Sequence, residues 1–367
     1  MIGRRLVRTR WGGIGLLLLG ILAGASLLVA ATPMGRYLAR GGWAESRILL
    51  RRQSIARLVA DSATPPVERA KLRLVLEART FAIDSLGLPA KDAFTQFSRL
   101  DHDTLVLVLS GAYRDRLEPV TWWFPVVGRV PYKGYFDFAE ARRAEQALAA
   151  DGFDTYLRPS PAFSTLGFFN DPLLSTTLGE DSLSLVNTVM HELTHNRFYA
   201  KGQAVFNESF ASFSGARAAE RFFRSRGDTV HAALAAARWH DDLILARVWT
   251  REFGALDSAY RAHPGESGQP ARLAARDSIV DRTRRELVDS VAPSLTTIDP
   301  RFAQRVRLDN AAMLARRIYA TGLDDFDGVY EREDRDVRRA VERIVRLARS
   351  NPGAPGMAVR EWVGAGR

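Results

Sequence analysis

Two histidines stand four residues apart in "HELTH" (191–195), with a glutamate directly after the first and a second glutamate in "NES" at position 208. On a helix, residues four apart share a face, so His191 and His195 can aim a ring nitrogen each at one point. Glu192 then lies beside that point, within reach of a water held there rather than of the ion itself. The chain has no cysteine, which leaves only His, Asp and Glu as strong metal ligands. Midway between His195 and Glu208 lies Lys201–Gly202, the best turn site in the connection. A reversal there brings Glu208 opposite His195, and Asn207 as an N-cap would put Glu208 in the first turn of a second helix. Two neutral imidazoles and one carboxylate leave a fourth position open, the arrangement of a catalytic rather than a structural zinc site. One Zn²⁺ is therefore the expected cofactor, lowering the pKa of its water from about 15.7 to roughly 7. Glu192 is the expected general base, passing the proton to a leaving amine for about 10²–10⁴ in rate. With only six histidines in the chain, the chance of this pattern is on the order of one in a hundred.

The elements that must hold these residues follow from periodicity. Asp181 or Ser182 can cap the first helix, and Leu183, Val186, Val189, Met190 and Leu193 recur at helical spacing. Upstream, residues 43–97 are helical in pattern, with Gly87 and Pro89 ending the run. "DTLVLVLSGAY" (103–113) is a buried strand, and the aromatic "VTWWFPVVGRVPYKGYFDF" that follows is irregular or a hairpin. Asp137 caps a helix that Gly152 stops, and 153–160 and 164–178 form further short strands. Helices then cover about 207–226, 229–259, 271–290 and 308–350, with a loop at 262–271. The pattern is α+β, one domain with helical additions at both ends.

The net charge of +10 is unevenly placed: residues 1–52 hold nine arginines and one acid, Glu45, and so carry +8 of it. No folded segment retains the basic stripe that nucleic-acid binding needs, and that class is excluded. The arginines flank "IGLLLLGILAGASLLVAA" (14–31), an uncharged run near the minimum length for spanning a bilayer. The expected division is a basic cytoplasmic N-terminus (1–10), a transmembrane anchor or signal peptide (11–33), a helical region (34–100), a zinc peptidase core (101–228) and a helical C-terminal region (229–367). Arg4, Arg5, Arg8 and Arg10 precede the run, which places the N-terminus in the cytoplasm and the body outside. The run is longer than a signal core, favouring an uncleaved single-pass anchor in the cytoplasmic membrane, with membrane lipid as one partner.

"VMHELTHNRFYAKGQAVFNESFA" resembles a bacterial aminopeptidase family whose pattern is His-Glu-Leu-x-His followed by Asn-Glu-x-Phe-Ala. The likeness extends through "LEPVTWWFPVVGRVPYKGYFDF", "FDTYLRPSPAFSTLGFFNDPLLST", "ATPPVERAKLRLVLEARTFAIDSLGLP" and, faintly, "DNAAMLARRIY", in order over most of residues 45–320. It implies a zincin-like fold of the Glu-zincin type, a small mixed sheet with a metal-binding helix pair, with His191, His195 and Glu208 as ligands and Glu192 as base. It also makes Tyr319 the first choice for an oxyanion donor, with His231 and His240 as alternatives. The stretch 164–176 would be an edge strand that pairs with an extended substrate. Asp171, Asn207 and Asn310 are candidates for supporting the histidines. Trp122, Trp123 and Phe124 read as packing beside the sheet, and His102 and His263 as loop residues. Two departures stand out: there is no lipid-anchoring cysteine, and no Gly-x-Met-Glu-Asn motif to hold a free amino terminus. Peptide hydrolysis is thus better supported than exopeptidase action. A non-catalytic envelope scaffold that keeps a structural metal is the competing function, against which the intact Glu192 argues.

Overall fold

The structure, a computed structural model, describes residues 20, 24, 31–101, 104, 106–124, 128–160 and 172–365. The expected anchor, His102, Asp171 and most of the 164–176 strand lie outside the described residues. Among those described, no helix is long and apolar enough to cross a membrane. Residues up to Arg52 form one unit, whose helix α1 spans Pro33–Leu50, and Gln53–Arg367 form a second compact unit.

The second unit is mostly helical, with three small sheets. In one, β3 (Val106–Ala112) lies between β6 (Lys133–Tyr135) and β7 (Asp154–Ser160), antiparallel to both. In another, β2 (Gln96–Ser98) pairs antiparallel with β1 (Gln53–Ser54) and parallel with β8 (Leu173–Leu174). The aromatic stretch makes the hairpin of β4 (Trp122–Phe124) and β5 (Gly128–Val130); Phe124 is buried, Trp122 packs beside β3, and Trp123 stays exposed. Helices α2 (Pro66–Asp84) and α3 (Phe138–Ala150) precede the central pair, α4 (Ser182–Arg197) and α5 (Ala204–Ser225). After them come α6 (Thr229–Ala262), α7 (Gln269–Glu286) and α8 (Asn310–Ala320). The chain ends in α9 (Leu323–Arg332), α10 (Val337–Ser350) and α11 (Pro355–Gly364).

Three local readings are corrected. The continuous helix expected over 308–350 breaks twice, where Gly322 turns left-handed (φ 70°) and where Asp334 and Arg335 do the same (φ 55° and 58°). The strand expected through residue 178 ends at Leu174, and Ser175–Leu178 is a helical turn. Helix α5 begins at Ala204 rather than at Asn207, so Asn207 is not its cap.

The main core is built where α4 and α5 meet. Leu185, Val186, Val189, Met190 and Leu193 of α4 join Phe206, Phe210, Phe213 and Phe222 of α5, with α2, α9 and α10 closing round them. Each such side chain, when fully buried, contributes about 1.5–3 kcal/mol. Polar groups fix the registration of the pair. The Thr194 hydroxyl donates to the Met190 carbonyl and meets the Ser214 hydroxyl, each at 2.8 Å, in a fully buried position.

Gly215 sets how closely the two helices approach. A Cβ there would lie 2.4 Å from Asn187 Oδ1, 3.1 Å from the Asn187 carbonyl oxygen and 3.3 Å from His191 Cβ. Gly254, exposed on α6, has nothing within 4 Å of the same position. Gly215→Ala is therefore expected to cost about 1–3 kcal/mol by overpacking. Gly254→Ala should gain up to about 1 kcal/mol from helix propensity. Thermal unfolding should move Tm in opposite directions for the two variants, and equal shifts would contradict the close approach assigned to Gly215.

Candidate metal centre

Helix α4 starts at Asp181, whose carboxylate accepts from the Ser184 amide at 2.9 Å and pairs with Arg238 at 3.1 Å. Burial opposes ionisation there, but these hydrogen bonds outweigh it and hold the Asp181 pKa down to about 2. The helix runs to Arg197 without a break, which puts His191 and His195 on one face with ring centroids 5.0 Å apart. The turn then falls at Lys201–Gly202, where Gly202 takes φ 77°, a conformation that costs glycine nothing. Asn207 latches this turn: its side-chain oxygen accepts from the Ala200 amide and its nitrogen donates to the Ala200 carbonyl, both at 2.8 Å. The side chain read as a helix cap thus closes the hairpin instead, one residue before Glu208.

Glu208 reaches across the pair. Its Oε2 lies 3.3 Å from His191 Nε2 and its Oε1 lies 3.6 Å from His195 Nε2. One donor atom from each of His191, His195 and Glu208 falls within 4.8 Å of the others. For metal–ligand bonds of about 2.1 Å, tetrahedral donor atoms stand roughly 3.4 Å apart. The two separations lie near that edge, each to a different oxygen of Glu208, and the donor set is the two-imidazole, one-carboxylate set that zinc takes. These residues therefore fit a divalent metal. Glu192 is exposed next to the pair, and its charge acts on both His195 and Tyr319.

A sequence model of the family described as "Putative aminopeptidase" matches residues 36–354. The chain belongs to this family. No match was found among the curated proteins or among the solved structures.

Tyr319 arrives from α8, a helix fixed at both ends. At its start Asp309 accepts from the Ala312 amide at 2.8 Å, and the Asn310 side chain donates to the carbonyls of Tyr113, Arg114 and Arg116 beside β3. At its end the Ser209 hydroxyl donates to the Ile318 carbonyl at 3.2 Å and accepts from the Thr321 amide at 3.1 Å. Ser209 directly follows Glu208 and is fully buried, so the residue after the carboxylate brackets Tyr319 from both sides. Tyr319 is 43% exposed, yet partial desolvation of its hydroxyl and the Glu208 and Glu192 carboxylates raise its pKa, while Arg158 of β7, hydrogen-bonded to it, opposes them. A phenol held neutral in this way is a hydrogen-bond donor.

The other candidates lie in different surroundings. His231 Nδ1 sits 2.8 Å from Asp228 with its ring stacked on Phe223, and the largely exposed His240 lies 4.0 Å from Asp241. Asn310 is engaged at the sheet, and His263 ends α6. Sequence reasoning missed Ser209 and Arg158. Ser209 fills the unspecified position of Asn-Glu-x-Phe-Ala and Arg158 lies in a strand with no pattern of its own, and each meets a partner more than a hundred residues away in the chain.

The site's protonation follows from the same contacts. Burial alone would lower the His195 pKa, but Glu208 and then Glu192 raise it above 6.5. Burial alone would raise the Glu208 pKa, but His191 and His195 bring it from 4.5 to about 2. In metal-free protein the raised His195 pKa stabilises the fold below pH 6.5, an effect lost as pH rises through the folded value. The depressed Glu208 pKa stabilises it above pH 4.5, an effect lost as pH falls toward 2. The Tm difference between metal-free wild type and Glu208→Gln should therefore be greatest between pH 4.5 and 6.5. Zinc needs unprotonated imidazoles, so its affinity should weaken across that same acid range. Calorimetric titration with zinc over a pH series checks this, and a flat profile would contradict it.

Proposed function

We propose that this chain is a zinc metallopeptidase with a zincin-like core, anchored by the apolar run 14–31 in the bacterial cytoplasmic membrane, with its catalytic part outside. The observation that carries the reading is the convergence of His191, His195 and Glu208, one donor atom of each within 4.8 Å of the others, with the two Glu208 oxygens 3.3 and 3.6 Å from the imidazole Nε2 atoms. His191, His195 and Glu208 would hold the ion. Bound there, zinc supplies Lewis acidity to a water and to the scissile carbonyl.

The remaining steps belong to side chains. The Glu192 carboxylate accepts the proton of the attacking water and returns it to the amine that leaves, so one residue serves as base and then acid. The neutral Tyr319 hydroxyl donates to the oxygen on which negative charge develops. Arg158, hydrogen-bonded to that hydroxyl, holds it in place and adds positive charge beside it. Ser209 keeps the two halves of the site in register, because it joins the helix of Glu208 to the helix of Tyr319. Family membership supports a peptide substrate.

Glu192→Gln should retain zinc while losing about 10²–10⁴ in kcat. Tyr319→Phe should lose roughly 10²–10³ in kcat with KM little changed, as expected of a donor used mainly in the transition state. Hydrolysis of a peptide library by metal-loaded protein, followed by mass spectrometry, reads both effects. Matched peptides with free and acetylated N-termini show whether an amino terminus is required. Undiminished cleavage by Glu192→Gln would overturn the assignment and favour a scaffold with a structural metal.

A further inference from the structure

Helix α1 presents a stripe that is outward at four of its five positions, the fifth, Arg47, being half-buried. Arg36, Arg40, Trp43, Arg47 and Leu50 are separated by four, three, four and three residues, which keeps all five on a single helical face. Arg36 and Arg40 are exposed. Trp43 is 69% and Leu50 86% exposed, unusually high for large apolar side chains. The opposite face behaves differently: Met34, Tyr37, Gly41 and Ala44 are only partly exposed and Ile48 is buried. The helix and the two residues after it hold five arginines against one acid, Glu45. The uncharged run 14–31 ends immediately before the helix, which begins at Pro33 with Thr32 as its cap.

We infer that this stripe lies on the membrane surface, its arginines on anionic phospholipid headgroups and Trp43 and Leu50 in the boundary between headgroups and acyl chains. Charge complementarity selects the partner: guanidinium groups pair with phosphate in two-point contacts, and an indole suits the interface because its ring is apolar and its N–H polar. Each arginine held near an anionic surface multiplies membrane partitioning about fivefold. Leu50 and Trp43 add apolar area that a purely electrostatic contact would lack. The helix would then act as a collar. It would hold its own unit, up to Arg52, along the lipid surface. This inference rests on the anchored reading of the run 14–31, and the experiment reads the two separately.

The chain has no cysteine, so Ala39→Cys gives a single labelling site beside Trp43 on the stripe. The full-length chain carrying a bimane label there is reconstituted into vesicles of phosphatidylcholine alone or with phosphatidylglycerol, and iodide quenching is measured. Flotation of the chain with both kinds of vesicle reports the anchor. The expected result is a severalfold drop in quenching on phosphatidylglycerol vesicles only, reversed by high salt. The triple variant Arg36→Gln, Arg40→Gln, Arg47→Gln should abolish that drop while still floating. Equal quenching on the two vesicles, with flotation intact, would overturn the collar and leave the anchor standing. Protection on neutral vesicles that tracks protein concentration would assign the stripe to a second copy of the chain and also overturn it.

Discussion

The whole site depends on how near α5 comes to α4. Gly215 permits the approach by offering no side chain against Asn187 and His191, and the buried contact between Thr194 and Ser214 fixes the sliding position. Asn207 locks the turn that joins the helices. Together these contacts bring one carboxylate to two imidazoles that belong to another helix. A hairpin open by a further side chain would leave the histidines aligned but without their third partner.

That closeness also sets the electrostatics. Three ligand-type groups share a half-buried space, and without a metal they answer by exchanging charge, with Glu208 kept ionised and His195 drawn toward protonation. A divalent cation relieves the same constraint without protons. Competition between a divalent metal and protons would therefore be built into the packing, and the apolar core beneath the pair keeps the groups from moving apart. Tyr319 is carried separately, on a helix tied to the sheet by Asn310 and to α5 by Ser209. The helix of Glu208 and the helix of Tyr319 are thus joined by a buried hydroxyl.

Much of this was legible before any coordinates. The four-residue spacing of the histidines, the turn at Lys201–Gly202 and the reach of Glu208 all follow from helix geometry and from glycine's freedom at positive φ. Asn207 shows where such reading stops. An asparagine near a helix start can cap it or can bind a peptide group across the turn, and the choice depends on where the hydrophobic face begins; here Phe206 is already buried and the helix starts at Ala204. The break after Ala320 has its signal in Gly322, but the break after Arg332 was hidden, because Asp334 and Arg335 turn left-handed without a glycine. Gly215 did carry a signal. A glycine inside a helix costs about 1 kcal/mol relative to alanine, and that cost points to a backbone packed too closely for a side chain. Ser209 and Arg158 carried none, since their partners are brought to them only by the fold.

The most direct measurement is the zinc content of the full-length chain purified in detergent and dialysed against limiting free zinc, beside folded His191→Ala and Glu208→Ala variants. One zinc per wild-type chain and none retained by either variant is the predicted result. A well-folded wild-type protein that stays metal-free when zinc is supplied, or variants that bind as the parent does, would contradict the account.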